Sequence, residues 1–209
     1  MSSIFANPND NKSNYFGQKV LFLHGLEGSP NGQKAKYLKE KWGALCPPMR
    51  TDLIRELNIK KGQRNWSNID SQEIESALEP VMEDALDAIN YLKPDIVVGS
   101  SMGGAILMKL IFNQAIDINV CSPIFLAPAI KELVRPLEEI PTMKNSVWVL
   151  GEVDRIVENS SNIKLCKSCN GNLVFSPNDN HRLSIALNSG LIDAAILTGI
   201  EVKAANLIN

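Results

Sequence analysis

Histidine is nearly missing from this chain, which carries 2, His24 and His181. Any chemistry that needs an imidazole base therefore has two candidates. Cysteine is sparse as well, with 4 residues, Cys46, Cys121, Cys166 and Cys169. That number suits free thiols in a reducing compartment. Cys166-Lys167-Ser168-Cys169 has the C-x-x-C form. A zinc site there would need two further soft ligands, and the two histidines are the only ones of their kind. No thioredoxin-like pattern surrounds the pair, so it reads as a surface-helix pair without a metal or redox role. An excess of charge is missing too: 21 Lys and Arg face 23 Asp and Glu, a net charge of −2. That balance gives no reason to expect nucleic acid or an anionic membrane as a partner. No apolar run approaches the roughly 20 residues that cross a bilayer. The start of the chain is polar and Asn-rich, with no basic segment followed by an apolar one. No secretory signal is expected from it, and the protein reads as cytoplasmic. Residues 1–17 are expected to be loosely held. Repeats and low-complexity tracts are also lacking.

What is present is an ordinary globular composition, 44% apolar and 21% charged over 209 residues. It fits one domain spanning 1–209 with a sizeable core. The most informative stretch is Val97-Val98-Gly99-Ser100-Ser101-Met102-Gly103-Gly104. An apolar run leads in and a helical pattern leads out, with G-x-S-x-G on the turn between them. A serine on so sharp a turn is backbone-strained, and its neighbours two residues before and after crowd each other. Glycine at Gly99 and Gly103 removes the colliding side chains. Ser101 is the central residue; Ser100 is out of phase.

Along the chain, strands are predicted at 19–24, 96–100, 122–127, 146–151 and 172–175, with a short one near 48–53. Helices are predicted from Ala35 through Leu45, and from Ser71 to Leu92 with a kink or a break into two at Pro80. Others are expected at 102–113, 162–169 and 186–202. The polar segment 54–70, with Lys60, Lys61, Arg64 and Trp66, reads as a loop whose exposed Trp66 could flank a pocket, although such a residue is more often a packing anchor. Strands alternating with helices predict an α/β fold, a doubly wound, mostly parallel sheet of about six strands. Ligands bind such sheets at the carboxyl ends of strands. His24-Gly25, Ser101, Asp154 and His181 all fall at such ends.

A serine hydroxyl needs a base within hydrogen-bond reach, and the base needs an orienting partner. Ser101, Asp154 and His181 follow one another in the nucleophile–acid–base order of such folds. Asp179 is the rival acid, but it lies too close in sequence to His181 to orient the ring easily. An oxyanion formed at Ser101 needs two preset donors. One is the Met102 N–H, at the start of a helix whose dipole also helps. The other is the Leu26 N–H, since Gly25 lets the backbone approach closely. Gly28 and Gly32 match neither G-x-G-x-x-G nor a P-loop.

Over about residues 18–200 the chain resembles the α/β-hydrolase superfamily. The segment LHGLEGSPNGQKA, starting at Leu23, is similar to small bacterial esterase-like members of the YqiA type. The resemblance implies a serine hydrolase of esters or thioesters, working on a small molecule without metal or cofactor. Carried over, it assigns Ser101 as nucleophile, Asp154 as acid, His181 as base, and Leu26 and Met102 as oxyanion donors. The chain departs from larger relatives in two ways. No antiparallel hairpin is evident before Lys19, and no lid domain is inserted among the later core strands. Other readings on the same site are a catalytically silent hydrolase fold used for binding, and a peptidase or C–C bond hydrolase. The oligomeric state is left open by the sequence.

Overall fold

The computed structural model describes residues 17–60, 66, 69–134 and 140–206. Five strands form one all-parallel sheet in the order β1-β2-β3-β4-β5. They are β1 (Val20–Leu23), β2 (Ile96–Ser100), β3 (Ser122–Leu126), β4 (Val147–Gly151) and β5 (Asn172–Ser176). The helices are α1 (Gln33–Trp42), α2 (Asp52–Lys60), α3 (Ser71–Leu92), α4 (Met102–Phe112), α5 (Ile130–Leu133), α6 (Asn159–Ser168), α7 (Ser184–Asn188) and α8 (Leu191–Asn206). None of the described helices is long and apolar enough to cross a membrane. The expected loose segment 1–17 lies almost wholly outside the described residues.

Side chains on a strand alternate between faces, and a parallel sheet covered on both faces is apolar on both. That is how this sheet divides its core. Leu21, Leu23, Val97, Phe125 and Trp148 point to the face covered by α3 and α4. Val20, Phe22, Ile96, Val98, Ile124, Leu126, Val147 and Val149 point to the face covered by α1 and α8. Phe125 and Trp148, side by side on β3 and β4, stack with ring centroids 4.2 Å apart. Each such fully buried large side chain contributes on the order of 1.5–3 kcal/mol.

Several expectations are corrected. No strand forms at 48–53, and among the described residues the sheet has five strands where about six were expected. Leu45 makes a single parallel bridge to Leu21, exchanging bonds with Val20 O and Phe22 N. Pro47 and Pro48 follow at once and have no N–H to extend the ladder. The chain instead turns into α2, which occupies the first part of the segment read as a loop. Trp66 is half-buried against the core, as a packing anchor should be; residues 61–65 and 67–68 lie outside the described residues. Helix α3 runs unbroken through Pro80 instead of splitting in two. The last helical stretch does split, because Gly190 adopts φ +79 between α7 and α8. Cys166 and Cys169 are core residues under Trp148, not a surface pair.

Candidate active site

The turn at Ser101 is built as its spacing implies. Ser101 has φ 54 and ψ −115, a conformation L side chains rarely adopt. The strain is held by bonds on both sides. Ser101 N–H donates to Leu126 O at 2.9 Å, and Ser101 O accepts from Gly104 N at 3.0 Å and Ala129 N at 3.0 Å. A methyl group on Gly103 would sit 2.0 Å from Leu23 O, and one on Gly99 would sit 2.6 Å from Gly103 O. Neither backbone neighbour can yield, so only glycine fits. A serine at the N-cap of a helix ordinarily bonds the first-turn amides. Here the side chain makes no such cap, and Oγ is left to point elsewhere.

It points to His181. Ser101 Oγ lies 2.9 Å from His181 Nε2, and His181 Nδ1 lies 2.8 Å from Asp154 Oδ2. Asp154 follows β4; His181 sits in the loop between β5 and α7. The other Asp154 oxygen, Oδ1, accepts from Ile156 N at 2.8 Å and Val157 N at 3.1 Å. Burial alone would push the Asp154 carboxyl up, but the hydrogen bond from His181, those backbone N–H groups and the nearby imidazole hold it below the usual range. The group is therefore a carboxylate, which only accepts. It fixes the proton on Nδ1 and leaves Nε2 to accept the Ser101 hydroxyl.

The other candidates fall elsewhere. Asp179 is buried and accepts from Ser176 Oγ, Asn180 N and Ala186 N, so it braces the His181 loop and the start of α7 and does not orient the imidazole. His24 is buried at the end of β1, where its Nδ1 donates to Gly25 O at 2.9 Å. Burial, and behind it the Arg55 charge, lower its pKa despite the Gly25 bond. Gly25 lies against the turn at Ser101, the nucleophile elbow: a methyl group on it would be 3.1 Å from Ser101 Cβ. Leu26 is next along that loop, and Met102 opens α4. One residue that the sequence reading missed is Arg55 of α2, whose Nε and Nη2 donate to Leu26 O at 2.8 and 2.7 Å. Its signal would have been the helical phase of Ile54 and Leu57, which sets Arg55 beside a buried position.

By sequence, no family model and no curated protein matches the chain. By structure, the likeness spans nearly the whole chain. Est1E from Butyrivibrio proteoclasticus, solved with ferulic acid bound, superposes with a TM-score of 0.62 at 16% identity, covering 96% of this chain and 94% of Est1E. A protein of the alpha/beta hydrolase superfamily from Xanthomonas campestris superposes with a TM-score of 0.58 at 17% identity, covering 90% of this chain and 99% of its own. The Bacillus cereus carboxylesterase gives 0.55 at 18% identity, covering 85% and 88%. The chain has the α/β-hydrolase fold. Within that fold the hydrogen-bonded serine, histidine and aspartate occupy the carboxyl ends of parallel strands, where α/β sheets bind ligands. The arrangement is able to generate a nucleophilic oxygen, hold its proton and return it.

Proposed function

We propose that this protein is a serine hydrolase that cleaves a carboxylic ester or thioester of a small molecule through an acyl-enzyme. The observation that carries the reading is one imidazole bridging Asp154 Oδ2 at 2.8 Å and Ser101 Oγ at 2.9 Å. Ser101 Oγ attacks the acyl carbonyl while His181 Nε2 takes its proton. Asp154 stabilises the imidazolium through the Nδ1–H bond and keeps the ring in place. The oxyanion is received by the N–H groups of Leu26 and Met102. Collapse of the tetrahedral intermediate expels the alcohol or thiol, which leaves with the His181 proton. Water then attacks the acyl carbonyl while His181 Nε2 takes its proton. Collapse of this second tetrahedral intermediate breaks the bond to Ser101 Oγ, returns the proton from His181 to the serine and releases the acid. No cofactor takes part in these steps. The likeness of the Leu23–Ala35 segment supports placing the protein beside the YqiA-type esterases, as a single cytoplasmic domain over 1–209.

A fluorophosphonate probe tests this directly. It is expected to label Ser101 alone, with labelling lost in Ser101→Ala and kept in Ser100→Ala. Labelling that survives Ser101→Ala rejects the assignment. A parallel panel of esters, acyl thioesters and aminopeptidase substrates separates the ester reading from a peptidase; absence of all turnover with intact fold would mean a binding protein.

A further inference from the structure

The loop after β1 is held at two consecutive peptide units, one on each side of Leu26. The carbonyl of Gly25 accepts from Gly28 N–H at 2.9 Å and from His24 Nδ1 at 2.9 Å. The carbonyl of Leu26 accepts from Arg55 Nε at 2.8 Å and Nη2 at 2.7 Å, and Nη2 also reaches Gly28 O at 3.4 Å. A peptide unit is planar, so fixing the Gly25 carbonyl fixes the direction of the Leu26 N–H opposite it. Fixing the Leu26 carbonyl then removes the remaining torsional freedom at Leu26. The loop supplies the first hold from its own residues. The second comes from outside the loop, from a helix the chain reaches about thirty residues later.

We infer that Arg55 is a positioning residue for the oxyanion hole: by holding the Leu26 carbonyl it keeps Leu26 in place, and with it the N–H that the Gly25 carbonyl orients. The inference rests on the serine-hydrolase reading above. Its physical basis is the tolerance of such sites: oxyanion donors act only when already aimed at the developing charge. Arg55 suits the task because Ile54, its neighbour on α2, is wholly buried and anchors the helix. A charged fork donating twice to one half-buried carbonyl makes a stronger hold than a neutral donor. Lysine cannot reproduce that fork. A loop carbonyl that needed only satisfying could take water; a guanidinium is required when its position must be kept.

The test uses the full chain with Arg55→Gln, Arg55→Lys and Arg55→Ala, assayed on a p-nitrophenyl ester. Amide hydrogen exchange across 25–28 reads the loop independently of activity. Arg55→Gln is expected to speed that exchange about tenfold or more while exchange in β2 and α4 stays unchanged. Its kcat is expected to fall about 10- to 100-fold with KM within about twofold, the signature of donors displaced from the transition state. Arg55→Lys should fall between wild type and Arg55→Gln. Added guanidinium at millimolar concentration should restore part of kcat to Arg55→Ala and none to Arg55→Gln, whose side chain fills the gap. Unchanged loop exchange in Arg55→Gln overturns the inference, and so does a loosened loop with wild-type kcat. A wild-type protein that takes no fluorophosphonate and turns over no ester rejects the hydrolase reading and the oxyanion role with it. In that case the exchange data still decide whether Arg55 holds the loop.

Discussion

Asp154 divides its work between its two oxygens. One takes the imidazole proton bond, and the other takes two backbone N–H groups of the turn that follows. Asp154→Asn keeps the shape but offers an amide that either donates or accepts, so the histidine tautomer is no longer fixed. We expect kcat to fall by about 10²–10⁴ with the fold intact, and steady-state kinetics checks it. Full activity in Asp154→Asn with loss in Asp179→Asn would make Asp179 the acid. The same carboxyl carries a pH signature. Its native pKa lies below the ordinary value, so its contribution to stability is fully present above about pH 4–5 and disappears as pH falls through the depressed native value. The stability gap between wild type and Asp154→Asn should therefore be widest near neutrality and close on acidification. Denaturant melts at a series of pH values measure it; a gap that widened in acid would contradict the assignment. The cysteines behave oppositely. Burial pushes the thiols of Cys46, Cys121 and Cys166 up to about 12. Thiolates are the reactive form, so iodoacetamide at neutral pH should leave the folded protein unmodified and its hydrolysis unchanged.

At the scale of elements, legibility in the sequence followed locality. Gly99, Ser101 and Gly103 solve a steric problem among themselves, so their turn could be read without knowing what packs on it. The order Ser101, Asp154, His181 was readable because each residue follows a strand, although only the folded sheet brings them within hydrogen-bond reach. Helix α2 was hidden for the opposite reason. Its polar residues outnumber its apolar ones, and it is held by distant partners: Ile54 in the core, and Arg55 on Leu26 O. The break at Gly190 had a visible signal, a lone glycine within a helical pattern. Asp193 had none. It lies on α8 and receives Trp42 Nε1 at 2.7 Å, with Tyr37 and Lys41 of α1 on its other oxygen. It thus ties together the two helices that cover one face of the sheet. Asp193→Ala removes the bonds it receives from the buried Trp42 indole and from Tyr37 and Lys41, at a cost of about 1–3 kcal/mol. For a chain of this length that is a fall in Tm of roughly 2–4 °C per kcal/mol. Calorimetry should show the drop while kcat, set at the carboxyl ends of β2, β4 and β5, stays near wild type.

The whole molecule sets what the site can accept. A cover able to bury a long acyl chain needs two or more helices of roughly ten residues with their connections. Between β3 and β4 the described residues hold one turn of helix, α5. The other flank of the elbow carries α2, which turns Ile54 into the core and commits Arg55 to the loop carbonyls. Among the described residues neither segment supplies a long apolar wall. Every methylene that a pocket buries contributes about 0.8 kcal/mol, or nearly fourfold in kcat/KM. A deep tunnel would therefore show as a steady climb along a series of p-nitrophenyl esters. Here the climb should stop where the walls stop, with kcat/KM highest for acyl chains of about C2 to C6 and flat or falling beyond. Addition of a lipid–water interface should bring no jump in rate, since that jump requires a hinged cover moving aside. A climb that continued to C12 would mean that α2 and α5 close over the serine when substrate arrives, and the pocket would then have to be sought between those two helices.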